Sequence, residues 1–375
     1  MKKICYIVTV PLSIRAFFIP QIKYLSANGF DVSVICNQDD LIENELGDAV
    51  HFYPCSVPRG ISIFKTITTT VRFVKLFKKE AFDLVQYSTP NASLCASIAS
   101  RIAKIPVRVY HLMGFRYLGA KSVSRGFLKF IEKLTCRFST HIECVSPSNR
   151  ALGIAEHIFP GDKAVVIWNG SSGGVDLTQF DCKKRVEWRE EIRARLGISA
   201  SDFVFGFVGR ITKDKGVNEI LEAFDKLQDQ SKLLVLGDAE GIGTLKKDLI
   251  RKVRASGRAI FHSAVADVKK YYAAIDVLLL PSYREGFGNV VIEAGAMGTP
   301  AIISNIPGPT DAVIAGETAL IVPAKDAAKL AEAMEQIQKM DVHALGARAA
   351  TFVADNFSST ILCAKILERK RELLQ

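Results

Sequence analysis

The sequence predicts an α/β protein of two doubly wound parallel-sheet domains facing each other across a cleft. Short apolar or β-branched runs alternate with longer amphipathic stretches along the whole chain. That alternation marks strand–helix crossovers and parallel sheets covered by helices on both faces. The runs fall into two series separated by a Gly/Ser-rich break at 169–177. The 375 residues, 49% hydrophobic and 23% charged, suit two domains of roughly 100–200 residues each and exclude wholesale disorder.

In the first series, strands are expected at 4–10, 31–36, 83–87, 107–111, 142–145 and 164–168, with helical patterns at 16–28, 91–103 and 124–138. The opening Met1-Lys2-Lys3-Ile4 superficially resembles a signal peptide. Pro11 and Arg15 end its apolar run early and no small-residue cleavage site follows, so a buried first strand is the better reading. Nowhere does an uninterrupted apolar stretch reach about 18 residues. A cytoplasmic chain, peripheral on the inner face of the plasma membrane, is expected.

The break, Trp168-Asn169-Gly170-Ser171-Ser172-Gly173-Gly174-Val175-Asp176, disfavours regular structure and reads as a hinge. The domains are therefore expected at 1–168 and 178–355, with 169–177 between them. In the second series, strands are expected at 203–208, 232–236, 259–261, 277–280, 300–303 and 319–322. Helices are expected at 216–228, 244–256, 267–274, 289–297, 309–315 and 326–338. Eight cysteines are scattered, with no C-x-x-C pair and no His/Cys cluster. That excludes a zinc ribbon and a disulfide framework and suits a reducing compartment.

The net charge of +10 is concentrated in one place. Residues 61–140 hold 14 Lys and Arg, Lys121 among them, against Glu80, Asp83 and Glu132 alone. Large apolar residues interleave with these cations at helical spacing: Ile67, Val71, Val74 and Phe77, then Phe127, Phe130, Ile131 and Leu134. Such helices pack on a core or lie on an anionic membrane surface, and core packing claims part of each stripe. No nucleic-acid-binding module is visible, so no nucleic-acid partner is expected.

In open parallel sheets ligands sit beyond the carboxyl ends of strands. After 203–208, Gly209 permits a tight turn and Arg210 and Lys215 follow near the strand end, with Gly216 opening a helix. An Arg fork and a Lys point charge there suit a phosphate or diphosphate. Alone, they describe any cationic loop. After 277–280, a loop with Glu285, Gly286, Phe287 and Gly288 leads into a helix at about Asn289, whose first backbone N–H groups form an anion site. Glu293, about one turn into that helix, is placed to accept from ribose hydroxyls. Glu285 is better placed for a sugar attached to the diphosphate.

Together these residues resemble a known family. Glu285 and Glu293 within REGFGNVVIEAGAMGTPAI, the Gly209-Arg210…Lys215-Gly216 element upstream, and NGSSGGVDL at 169–177 are similar to the family-4 retaining glycosyltransferases of GT-B fold. The narrower likeness is to members that build bacterial surface polysaccharides. The resemblance implies that Arg210 and Lys215 bind the donor diphosphate with backbone N–H groups of Phe287, Gly288 and Asn289. It implies Glu293 on the ribose, Glu285 at the donor sugar, and His111, at the end of a first-domain strand, as the active-site histidine. Asp311, in SNIPGPTDAV, falls in the loop that usually faces the donor sugar. In that fold the C-terminal helix, 356–375 here, often crosses back onto the first domain. Two departures stand out: Val10-Pro11-Leu12-Ser13 replaces the glycine pair many relatives have after the first strand, and Ser263 replaces a glycine near the base pocket.

The expected partners are therefore a nucleotide-sugar donor, probed first as a UDP-sugar, a saccharide or polyprenyl-diphosphate-linked saccharide acceptor, and an anionic membrane surface at 61–140. Departure of the nucleoside diphosphate develops negative charge on its phosphates. The chain has no D-x-D metal motif, so Arg210, Lys215 and the helix start are expected to supply the stabilisation, with no metal and no cofactor. Domain closure would exclude water. Two rivals are a sugar-nucleotide epimerase of the same fold and a non-catalytic membrane-surface adaptor. The absence of G-x-G-x-x-G after a strand disfavours a dinucleotide-dependent oxidoreductase.

Overall fold

Two all-parallel sheets organise the chain. The structure is a computed structural model that describes every residue except Arg59, Ile61, Lys121, Gln228 and Asp229. Ile61 and Lys121 of the basic segment, and Gln228 at the end of the helix predicted over 216–228, thus lie outside the described residues. Contacts divide the chain into one unit of Met1–Gly174 with Ser359–Gln375 and a second of Val175–Ser358.

The first unit carries β1 (Lys2–Ile7), β2 (Phe30–Cys36), β3 (Val50–Pro54), β4 (Leu84–Tyr87), β5 (Val107–Leu112), β6 (His141–Cys144) and β7 (Ala164–Val166). Their order is β3-β2-β1-β4-β5-β6-β7. Strands covered on both faces must be apolar on both, which is why Ile4, Cys5, Tyr6 and Ile7 are all buried. One face packs Phe73 and Phe77 of the helix Ile63–Glu80 with Tyr87 and Tyr110. Burying each phenylalanine contributes about 1.5–3 kcal/mol. The other face packs Tyr6, Phe18 and Ile22 with Leu362, Ile366 and Leu367 of the C-terminal helix Ser359–Leu373.

The second unit carries β8 (Val204–Val208), β9 (Lys232–Leu236), β10 (Ala259–His262), β11 (Val277–Leu280), β12 (Ala301–Ser304) and β13 (Ala319–Val322), ordered β10-β9-β8-β11-β12-β13. Phe205, Phe207, Ile220 and Phe224 fill its core. Asp276 enters this sheet as a paired charge. Its carboxylate accepts from Arg189 and Arg193 at 2.7 and 2.8 Å and from the Val204 amide at 2.7 Å. A buried carboxylate needs such partners, and these tie the helix Arg185–Leu196 to the sheet.

Some expected elements differ in detail. The helix expected over 16–28 is two, Pro11–Phe17 and Ile19–Ala27, because Pro20 sits in the first turn of the second. The stretch 309–315 holds only the single 3₁₀ turn Pro309–Ala312. The stretch 244–256 follows a 3₁₀ turn, Ala239–Thr244, and its helix is Lys247–Ala255. Within 169–177, Gly170, Ser171 and Ser172 are buried, and Trp168 and Ser171 adopt φ of +52° and +75°. Among the described residues no helix is long and apolar enough to cross a membrane.

Candidate active site

In the second sheet the strand order reverses between β8 and β11, which lie side by side with Val277 opposite Phe205 and Leu278 opposite Gly206. Two loops far apart in sequence therefore leave the same sheet edge as neighbours, at the position where open α/β sheets bind ligands. The first loop holds Arg210 and the turn Lys213–Lys215; the second runs from Pro281 to Gly288. Gly216 closes the turn at φ +73°, and a Cβ there would stand 2.2 Å from the Pro281 carbonyl oxygen. The backbones are that close because the position has no side chain.

Further bonds fasten the two loops. The Tyr283 amide donates to the Asp214 carbonyl at 2.9 Å, and Arg284 donates to the Asp214 carboxylate, also at 2.9 Å. The Tyr283 hydroxyl reaches Glu219 on the following helix at 2.6 Å. Burial works to raise the Asp214 carboxyl. A hydrogen bond from Thr212 and the charges of Arg284, Arg210 and Lys215 outweigh it and hold the group below its usual range.

At the centre of this junction Lys215 Nζ donates to Glu285 Oε1 at 2.6 Å, with the side chains 20% and 12% exposed. A charge-assisted bond of that length at a largely covered site is strong, and it holds a cation and a carboxylate ready in one place. Arg210 is exposed on the same loop.

The helix Asn289–Ala296 begins directly after Glu285–Gly288, with Gly288 as its N-cap residue. Its dipole places partial positive charge beside the Lys215–Glu285 pair. Phe287 is buried and packs edge-on against Phe357, ring centroids 5.2 Å apart, so only its backbone is available to a ligand. Glu293, partly buried, accepts a 2.7 Å bond from the Tyr272 hydroxyl. Burial pushes its carboxyl upward and that bond works the other way. Asp311 lies on the 3₁₀ turn after Gly308. A Cβ on Gly308, at φ +104°, would meet the Gly286 carbonyl oxygen at 2.8 Å, which sets the Asp311 turn against the Glu285 loop.

The second unit thus brings together Arg210, Lys215, Glu285, Phe287, Gly288, Asn289, Glu293 and Asp311. His111 belongs to the first unit, at the end of β5. Burial lowers its imidazole to about 4. Sequence reasoning did not name Asp214, Glu219, Tyr272, Tyr283 or Arg284. Asp214 between two lysines and Tyr283-Arg284 just before Glu285 were the available signals, but their meaning depends on β8 and β11 being neighbours. Among the described residues no three His, Cys, Asp or Glu side chains converge to hold a metal ion.

A cation, an adjoining carboxylate and a helix N-terminus at a parallel-sheet switch point have the chemistry to bind a phosphorylated ligand. Comparison with known proteins gives the class. Residues 188–350 match the family model "Glycosyl transferases group 1", and residues 3–146 match "Glycosyl transferase 4-like". The chain is 30% identical over 366 residues to the capsular polysaccharide biosynthesis glycosyltransferase CapM of Staphylococcus aureus, covering 96% of this chain and 94% of the relative. It is 28% identical over 316 residues to the UDP-Gal:alpha-D-GlcNAc-diphosphoundecaprenol alpha-1,3-galactosyltransferase of Escherichia coli, covering 82% and 80%. Among solved structures it is similar to sucrose-phosphate synthase from Thermosynechococcus elongatus, at a TM-score of 0.82 and 21% identity over 100% and 99% of the two chains. The chain belongs to the glycosyl transferases group 1 family and is a glycosyltransferase of GT-B fold.

Proposed function

We propose that this glycosyltransferase moves a sugar, with retention, from a UDP-sugar to a hydroxyl of a polyprenyl-diphosphate-linked saccharide during assembly of a surface polysaccharide. The observation that carries the reading is the Lys215–Glu285 pair at 2.6 Å beside the start of the helix Asn289–Ala296. A diphosphate needs fixed positive charge where its leaving-group charge develops, and the reacting sugar carbon needs negative charge near it. Lys215, Arg210 and the amides around Phe287–Asn289 serve the first need and Glu285 the second. Glu293 holds the ribose, Asp311 faces the donor sugar, and His111 serves a sugar hydroxyl. The relatives support the substrate classes: one is named for capsular polysaccharide, the other for a UDP-galactose donor and a diphosphoundecaprenol-linked acceptor.

The test is transfer of labelled sugar from a panel of UDP-sugars to diphosphoundecaprenol-linked GlcNAc and related acceptors. One donor is expected to give a lipid-linked product; no product across the panel overturns the reading. Because side chains and a helix dipole supply the positive charge, the same assay is expected to run undiminished with excess chelator. A chelator-sensitive reaction restored by magnesium or manganese overturns the metal-free part.

The basic first-unit segment is proposed to hold the enzyme on anionic lipid. The helices Ile63–Glu80 and Ser122–Phe138 both pack on the helix Pro90–Ile102. They leave Ile63, Phe64, Ile67, Val71, Val123, Phe127 and Phe130 exposed, Phe64 by 76% and Phe130 by 61%. Lys65, Arg72, Lys75, Arg125 and Lys133 are exposed among them. Apolar tips within a cationic field suit an interface of acyl chains and anionic headgroups. Binding to vesicles is expected to need anionic lipid and to weaken steeply with salt, since the Debye length shrinks from about 10 Å at 0.1 M to about 3 Å at 1 M. Equal binding to neutral vesicles in sedimentation assays would remove the electrostatic part.

A further inference from the structure

His111, Glu143 and Lys370 form a buried cluster in the first unit. His111 on β5 and Glu143 on β6 are paired across the parallel ladder, so their side chains share one face of the sheet. That face is covered by the C-terminal helix Ser359–Leu373, which supplies Lys370. All three are buried, His111 being 7% exposed. Lys370 Nζ donates to both Glu143 carboxylate oxygens, at 2.8 and 2.9 Å. Among the described residues neither ring nitrogen of His111 has a hydrogen-bond partner, and Phe18 packs edge-on against the ring at 5.4 Å.

A buried carboxylate beside a histidine normally accepts a ring N–H and draws the ring toward the imidazolium form. Here the carboxylate is engaged by Lys370, so it does not claim the imidazole. The other titratable groups around the cluster are His141 on β6, Arg369 and Cys363 on the C-terminal helix, and Tyr6 on β1. Tyr6 gives its hydroxyl to Gln21 at 3.2 Å. We infer that Lys370 is a positioning residue for His111: by occupying both oxygens of Glu143 it keeps the imidazole neutral and leaves both buried ring nitrogens unclaimed by Glu143. A neutral imidazole offers one N–H donor and one acceptor, whereas the protonated ring offers two donors. This rests on the proposed role of His111. It gives the C-terminal helix a part in the chemistry besides closing the first core. Burial and the Lys370 charge both disfavour the imidazolium, against the pull of Glu143.

The test is an NMR titration of the imidazole C–H resonances of the intact protein. Six histidines are present, and H111Q identifies the relevant signal. In the parent His111 is expected to stay neutral down to about pH 5, well below an ordinary histidine. K370M is expected to raise its proton affinity about tenfold or more, because the carboxylate left behind favours the charged ring. K370Q, which keeps a donor without the charge, repeats the arm if K370M does not fold. E143Q is expected to leave His111 neutral although it breaks the same ion pair. A merely structural pair would give no such asymmetry.

The inference is overturned if parent His111 titrates like an exposed histidine, if removing the Lys370 charge leaves it unmoved, or if E143Q raises its proton affinity. The underlying reading is tested separately by sugar transfer with H111Q. Normal transfer beside the expected titrations removes the catalytic role of His111 and leaves the action of Lys370 on it standing.

Discussion

Glu285→Gln is expected to retain UDP-sugar binding while losing about 10²–10³ of turnover, the range seen when one transition-state electrostatic contact is removed. Without donor, the Glu285 charge is neutralised by Lys215 at 2.6 Å. An arriving diphosphate carries more negative charge than one carboxylate and competes for Lys215. In the proposed role the Glu285 charge would then face the sugar carbon as that carbon becomes electron-poor. Glutamine keeps the shape and a hydrogen-bonding oxygen but cannot answer developing positive charge. The ground state is therefore little changed and the transition state is not stabilised, which places the loss in kcat and not in donor affinity. Arg210→Ala should weaken both, since a diphosphate contact acts in both states. Calorimetry of donor binding beside turnover separates the cases, and a Glu285→Gln protein of near-normal turnover ends the assignment of Glu285.

That prediction joins residues 70 apart, and the sequence made half of the argument available. The apolar runs mark twelve of the thirteen strands among the described residues. The missing one, β3 (Val50–Pro54), lies at the sheet edge with only Val50 buried, so it lacks the apolar signal of its neighbours. The helix Val342–Phe357 is not among the helical patterns read from the sequence, although Leu345, Ala349, Val353 and Phe357, spaced four apart, form its buried stripe. Arg210, Lys215, Glu285 and Glu293 were legible because each follows a recognisable strand. Asp214, Tyr283 and Arg284 were not. Their work is to fasten two loops whose adjacency comes from the β8–β11 pairing, a long-range property that local pattern does not encode. The cluster of His111, Glu143 and Lys370 was hidden for the same reason, since Glu143 and Lys370 are 227 positions apart.

The loop junction gives the second large effect. Gly216→Ala is expected to disable donor binding as well as lower stability. An alanine held at φ +73° costs about 1–2 kcal/mol from the left-handed backbone alone. Its Cβ would also meet the Pro281 carbonyl oxygen at 2.2 Å and carbon at 2.7 Å. Backbone cannot rotate aside as a side-chain tip does, so one loop must move, and either movement draws Lys215 away from Glu285. Gly197→Ala separates the two contributions. Gly197 ends the helix Arg185–Leu196 at φ +67° and has nothing within 4 Å of an added Cβ. It should show the backbone cost without the clash, and its thermal midpoint should rise with UDP-sugar as the parent's does. Gly216→Ala should unfold at a lower temperature than Gly197→Ala, and added UDP-sugar should not raise its midpoint. If the donor stabilises both variants equally, the close approach of the two loops is not what sets the spacing of Lys215 and Glu285, and the pocket tolerates more separation than its geometry implies.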